Sequence, residues 1–144
     1  MALRPAVGVL VVDDHEPFRR FVCSILSKTA GWQVVGEVSD GLEAVQRAEE
    51  LQPDLILLDI GLPNLNGVEA ADRIQRVAPN SKILFVTQER SSEMIRAALR
   101  NGAKGYVLKS DAGSELLPAL DIVLGGGRFL SRGVRGYNFD DTTD

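Results

Sequence analysis

The sequence predicts an α/β fold, a single doubly wound parallel sheet of five strands flanked by five helices. Three observations carry that expectation. Short runs of aliphatic and β-branched residues recur along the 144-residue chain. Apolar stripes at helical spacing alternate with them, and Gly, Pro, Asn or Asp stands at most of the junctions. Strands alternating with helices imply parallel βαβ units with right-handed crossovers.

Each element has its own justification. Val7 to Val12 is a β-branched run that ends in Asp13-Asp14. Phe18, Phe21, Val22, Ile25 and Leu26 follow at helical spacing, and Pro17 suits a first helical turn. The two phenylalanines are expected in the core. Gly31 lies just past the helix end, and Gln33 to Val38 reads as a shorter strand. Ala44, Val45, Ala48 and Leu51 form the second stripe, with Asp40 placed to cap its start.

Leu55-Ile56-Leu57-Leu58-Asp59-Ile60-Gly61-Leu62-Pro63 is the central stretch. A continuous apolar run bounded by turn residues reads as a strand buried on both faces. Pro63 cannot extend it, so Asp59 falls where strand gives way to loop. Gly67 opens a third helix with Val68, Ala71, Ile74 and Ala78 on one face. Lys82 to Thr87 is the fourth strand. Ser91 or Ser92 caps a helix bearing Met94, Ile95, Ala98 and Leu99, and Gly102 is its left-handed stop. Gly105 to Lys109 is a short last strand. Leu116, Leu117, Leu120, Val123 and Leu124 mark the fifth helix, ended by Gly125-Gly126-Gly127. Residues 1–127 are therefore read as one domain. Residues 128–144, rich in Gly and Arg with an acidic end, are read as a flexible tail or linker.

Composition narrows the function. Hydrophobic residues at 44% and charged residues at 25% are ordinary for a globular domain. A net charge of −4 argues against a nucleic-acid-binding surface. One cysteine, Cys23, excludes an intramolecular disulfide and a Cys-rich metal site, and reads as an inert, partly buried thiol. No signal peptide or membrane-spanning run is apparent, and the expected location is cytoplasmic.

In a parallel sheet all strand C-termini face one way. Asp13, Asp14, Asp59, Thr87 and Lys109 therefore converge on one rim, where α/β sheets bind ligands. Any one of these alone reads as a turn residue or a solvated charge; the inference rests on their coincidence. Crowded carboxylates need a cation, and all-oxygen donors suit Mg²⁺. Asp59 then stands as a carboxylate nucleophile toward phosphorus. Lys109 and the Thr87 hydroxyl would meet the phosphoryl oxygens. His15 is not expected to ligate, because Mg²⁺ prefers oxygen.

The motifs carry a resemblance. Val11-Val12-Asp13-Asp14-His15, Leu57 to Pro63 with Asn66-Gly67, Val86-Thr87, and Gly102 to Ser110 fall in order over about residues 6 to 125. Together they resemble the receiver domain of bacterial two-component response regulators, of the NarL/FixJ (LuxR-type) subfamily. The resemblance implies a flavodoxin-like sheet in the order 2-1-3-4-5. It implies Asp59 as phosphoacceptor from a sensor histidine kinase. It implies Mg²⁺ bound at Asp13, Asp14, Asp59 and the Gly61 carbonyl, Lys109 on the phosphoryl group, and Thr87 with Tyr106 as the switch pair.

It also implies an output, commonly transcription through a DNA-binding domain. Gly127 to Ser131 resembles the start of that subfamily's linker, yet this chain alone is not expected to read DNA or a membrane. A homodimer formed on phosphorylation stays open. So do three alternatives: a stand-alone receiver acting by protein–protein contact, a Mg²⁺-dependent aspartyl-phosphate hydrolase, and an inert receiver-like module. Two departures stand out. Gln88 follows Thr87 where the family has a small residue, and Ser110 stands where many members have Pro. Gln88 is expected to slow phosphoryl exchange, and the peptide before Ser110 is expected to be trans.

Overall fold

The structure is a computed structural model that describes residues 6–137. In chain order it contains β1 (Val7–Val12), α1 (Glu16–Ser27), β2 (Trp32–Val38), α2 (Gly41–Leu51) and β3 (Leu55–Leu58). There follow α3 (Gly67–Val77), β4 (Lys82–Thr87), α4 (Ser92–Arg100), β5 (Gly105–Leu108), α5 (Ala112–Leu124) and β6 (Phe129–Leu130). Lys109–Asp111 and Arg132–Val134 form short 3₁₀ turns. All strands pair in parallel, in the order β2-β1-β3-β4-β5-β6.

Alternation along the strands splits the core in two. Leu10, Val12, Ile56, Leu58, Ile83, Phe85, Tyr106 and Leu108 share a cluster with the buried residues of α2, α3 and α4. Val9, Val11, Leu55, Leu57, Leu84, Val86 and Val107 share the other with α1 and α5. Every residue of β3 and β5 is buried. That explains why these strands read as continuous apolar runs.

The expected punctuation is present. The Asp40 carboxylate accepts from Glu43 N at 2.8 Å and the Ser91 hydroxyl from Met94 N at 3.3 Å. Gly102 adopts φ +80° at the end of α4. Among the described residues there is no cis peptide, so the bond before Ser110 is trans.

Three expectations need correction. The sheet has six strands where five were expected, because Phe129–Leu130 pairs beside β5. Phe129 N donates to Lys104 O at 3.0 Å and Ser131 N to Tyr106 O at 2.8 Å. This pairing covers backbone groups that β5 would otherwise present as a bare edge. The flexible-tail reading of 128–144 therefore fails for 129–137; residues 138–144 lie outside the described part. Finally, Phe21 is 43% exposed and does not belong to the core.

One glycine fixes the site's geometry. A Cβ on Gly67 would lie 2.0 Å from the Asp59 carbonyl oxygen, and Gly67 N donates to Ile60 O at 2.7 Å. The start of α3 is thus pressed against the loop that follows Asp59. Gly67→Ala is expected to destabilise the domain by about 3 kcal/mol in urea unfolding. Gly113→Ala, where a Cβ meets nothing within 4 Å, is expected to be neutral or stabilising by under about 1 kcal/mol.

Candidate functional site

The C-terminal ends of β1 and β3 are adjacent, and the ladder runs on past them. Asp59 N donates to Val12 O at 3.1 Å, and Asp13 N to Val38 O at 2.9 Å. Asp13 and Asp59 are therefore held side by side by backbone, at 3% and 5% exposure. Asp14 is exposed on the rim. One carboxylate oxygen from each of the three lies within 4.8 Å of the others.

Lys109, in the turn after β5, reaches into this cluster. Its Nζ lies 2.9 Å from Asp13 Oδ2 and 3.1 Å from Asp59 Oδ2. The remaining oxygens are also engaged. Asp13 Oδ1 accepts from His15 N at 2.9 Å, and Asp59 Oδ1 from Ile60 N at 2.8 Å. Burial pushes the Asp13 carboxyl above its ordinary value despite the Lys109 and His15 hydrogen bonds, and the Asp59 charge adds to the rise. Burial acts to lower Lys109, but its bond to Asp13 and the Asp59 charge outweigh it, so the ammonium is held above its usual value. Three carboxylates against one ammonium leave uncompensated negative charge. The all-oxygen donor set is that of a hard divalent cation.

A cleft of about 480 Å³ opens over the cluster, lined by Asp14, Phe18, Asp59, Gly61, Thr87 and Lys109 among others. His15 and Gln88 also line it, both exposed. Of the predicted residues, Asp13 and Tyr106 do not line the cleft; Asp13 lies beneath Lys109, and Tyr106 is set apart. Tyr106 is fully buried behind the cleft, tilted against Phe85 with ring centroids 6.2 Å apart. Burial raises its phenol well above the ordinary range, with the charges of Glu89 and Asp59 adding. The neutral hydroxyl donates to Glu89 O at 2.7 Å. Glu89 N in turn donates to the Thr87 hydroxyl at 3.3 Å. The Glu89 peptide thus connects Thr87 and Tyr106.

Three contributors were missed by reading the chain alone. Glu89 acts through its backbone, which side-chain identity cannot announce. Phe18 is no simple core residue: Lys109 Nζ sits 4.8 Å from its ring centroid, a cation–π contact. Its place in the first turn of the helix that follows Asp13-Asp14 was the available signal. Arg19 donates to Asp13 O at 2.8 Å and pairs with Glu37 at 3.1 Å, bracing the end of β1. Cys23 is partly buried as expected, and burial, with the charge of Glu37, pushes its thiol up to about 11.

Residues 9–121 match the family model described as the response regulator receiver domain. The chain belongs to that family. The receiver is 36% identical over 134 residues to the nitrate/nitrite response regulator NarL of Escherichia coli K12, covering 93% of this chain and 62% of NarL. It is 36% identical over 115 residues to the chemotaxis protein CheY of Thermotoga maritima, covering 80% of this chain and 95% of CheY. The crystal structure of a LuxR-family response regulator from Aurantimonas sp. SI85-9A1 superposes with a TM-score of 0.85 at 31% identity. That match covers 91% of this chain and 94% of that one. This receiver spans less than two thirds of the length of NarL and of the response regulator GacA of Pseudomonas viridiflava. Receiver domains are phosphorylation-dependent signalling switches that interact with histidine kinases. Among the described residues no helix is long and apolar enough to cross a membrane.

Neutralising one of the crowded carboxylates relieves repulsion that a single ammonium does not cancel. In EDTA, Asp59→Asn is expected to raise unfolding stability by about 1 kcal/mol. A loss of stability instead would show that the Lys109 bridge outweighs the repulsion.

Proposed function

We propose that Asp59 of this receiver is the phosphoacceptor for a sensor histidine kinase. The observation that supports this most is Lys109, whose ammonium spans Asp13 and Asp59 at the floor of an open acidic cleft. An oxygen of Asp59 bonds to phosphorus as the donor's P–N bond breaks, and the imidazole leaves with the electron pair. Phosphoryl transfer depends chiefly on alignment and charge neutralisation. Lys109 supplies a positive charge to the phosphoryl oxygens. It need only exchange one carboxylate oxygen for a phosphoryl one. The Thr87 hydroxyl, now an acceptor from Glu89 N, turns to donate to the phosphoryl group. Phe18 walls the cleft beside Lys109 and confines its ammonium.

Asp13, Asp14, Asp59 and the Gly61 carbonyl are the proposed holders of Mg²⁺. The bound ion would neutralise charge on the carboxylates and the incoming phosphoryl oxygens. The geometry that argues for it is the three-carboxylate cluster and its uncompensated charge.

Thr87 and Tyr106 are the proposed switch pair, coupled through the Glu89 peptide. A coupling of about 1–3 kcal/mol is enough to shift populations without refolding the domain. The output is proposed to be transcriptional, through a DNA-binding domain outside this chain, with self-association on phosphorylation as its accompaniment. DegU of Brevibacillus brevis, a relative named as a transcriptional regulatory protein, supports this output; CheY, matched over 95% of its length, supports the stand-alone alternative. A hydrolase acting on free phosphoesters is disfavoured by the match of 9–121 to receivers.

Incubation with Mg²⁺ and acetyl phosphate is expected to add one phosphoryl group to the parent by intact mass, and none to Asp59→Asn. Equal labelling of the two would overturn the assignment. Gln88→Ala, which clears the rim of the cleft, is expected to speed both labelling and loss of label by several-fold, or about 1 kcal/mol in barrier. Unchanged rates would show that Gln88 does not obstruct the donor or the attacking water.

A further inference from the structure

The phosphorylation site leaves residues 129–137 unexplained, although they are tightly engaged. Ser131 is fully buried. Its hydroxyl accepts from Leu108 N at 3.1 Å and donates to the Glu115 carboxylate, with Asp111 Oδ2 3.3 Å away. Arg132 N donates to Glu115 Oε2 at 3.1 Å. Val134 is buried in the same core cluster as Tyr106 and Leu108. Beyond it, the Tyr137 hydroxyl lies 2.7 Å from Ser92 Oγ, and the Arg96 guanidinium lies 5.6 Å from the Tyr137 ring centroid. The segment thus grips β5 at one end and the first turns of α4 at the other.

Those two anchorage points flank the proposed switch. Tyr106 lends its backbone oxygen to Ser131 N and its hydroxyl to Glu89 O. Glu89 rests on Thr87, and Ser92 opens the helix that follows that loop. A Thr87 hydroxyl turned toward a phosphoryl oxygen no longer accepts from Glu89 N. The loop between β4 and α4 is then freed to shift, carrying the partners of both Tyr106 and Tyr137.

We infer that residues 129–137 are a cis-acting latch whose docking across β5 and α4 is coupled to the phosphorylation state of Asp59. The inference rests on the phosphoacceptor reading above. The docked latch is seen together with the Thr87–Glu89 bond that a phosphoryl group would break. Docking and phosphorylation therefore oppose each other, and the coupling is reciprocal. The latch also occupies the edge of β5, so an undocked segment would leave a strand edge open to a partner.

Amide hydrogen exchange on the full chain with Mg²⁺, with and without beryllofluoride as a phosphoryl mimic, tests this. In the parent, beryllofluoride is expected to speed exchange across 129–134 and at Leu108 by about threefold or more. Ser131→Ala removes the acceptor for Leu108 N. It is expected to speed that amide by about tenfold and to tighten beryllofluoride binding by about three- to tenfold. Tyr137→Phe, which loses only the Ser92 contact, keeps the fold and is expected to tighten binding by about twofold. Beryllofluoride protection around Asp59 with unchanged exchange at 129–134, and parental affinity in both variants, would overturn the latch alone. No beryllofluoride effect near Asp59 in the parent would overturn the phosphoacceptor reading and the latch with it.

Discussion

The structure depends on holding like charges together. Asp13 and Asp59 end neighbouring strands, and the backbone bond from Asp59 N to Val12 O leaves them little freedom to separate. Both carboxylates are buried, and Asp14 stands within reach on the rim. Lys109 bridges the two buried ones and cannot neutralise all three. Such crowding opposes folding. It is sustained by two apolar layers packed on the faces of the sheet, which make the strand ends rigid. Stability invested in the core maintains a site with an unmet demand for positive charge.

That demand gives each neighbour its role. A residue beside the cluster is braced, as Asp13 is by Arg19, or confined, as Lys109 is by the Phe18 ring. A residue further back senses the cluster through backbone. Thr87 and Tyr106 are joined through the Glu89 peptide, which carries one bond to each. The cleft is thus connected to the far side of β5 through a short chain of hydrogen-bonded groups. The proposed switch requires that chain to take a second discrete arrangement.

Much of the fold was legible because burial on both faces writes itself as uninterrupted apolar runs. β1, β3, β4 and β5 are of that kind, and the helices between them show their buried stripes and their caps at Asp40 and Ser91. Strand ends were legible too, so Asp13, Asp14, Asp59, Thr87 and Lys109 could be gathered before any coordinates. β6 was not legible. Two apolar residues between a glycine run and arginines carry no period, and only pairing with β5 makes them a strand. Phe21 obeys the helical period but sits at the edge of the stripe, where the sheet no longer covers it. Glu89 was hidden because its contribution is its peptide group.

The central claim is that the side chains ending β1 and β3 share one divalent ion. Titration of the metal-free receiver with Mn²⁺, followed by paramagnetic broadening of backbone amide resonances, tests it directly. The account predicts that the amides of Asp13, Asp14, Asp59 and Gly61 broaden first and together, and that excess Mg²⁺ restores them. Broadening that begins elsewhere, or that spares either strand end, would contradict it.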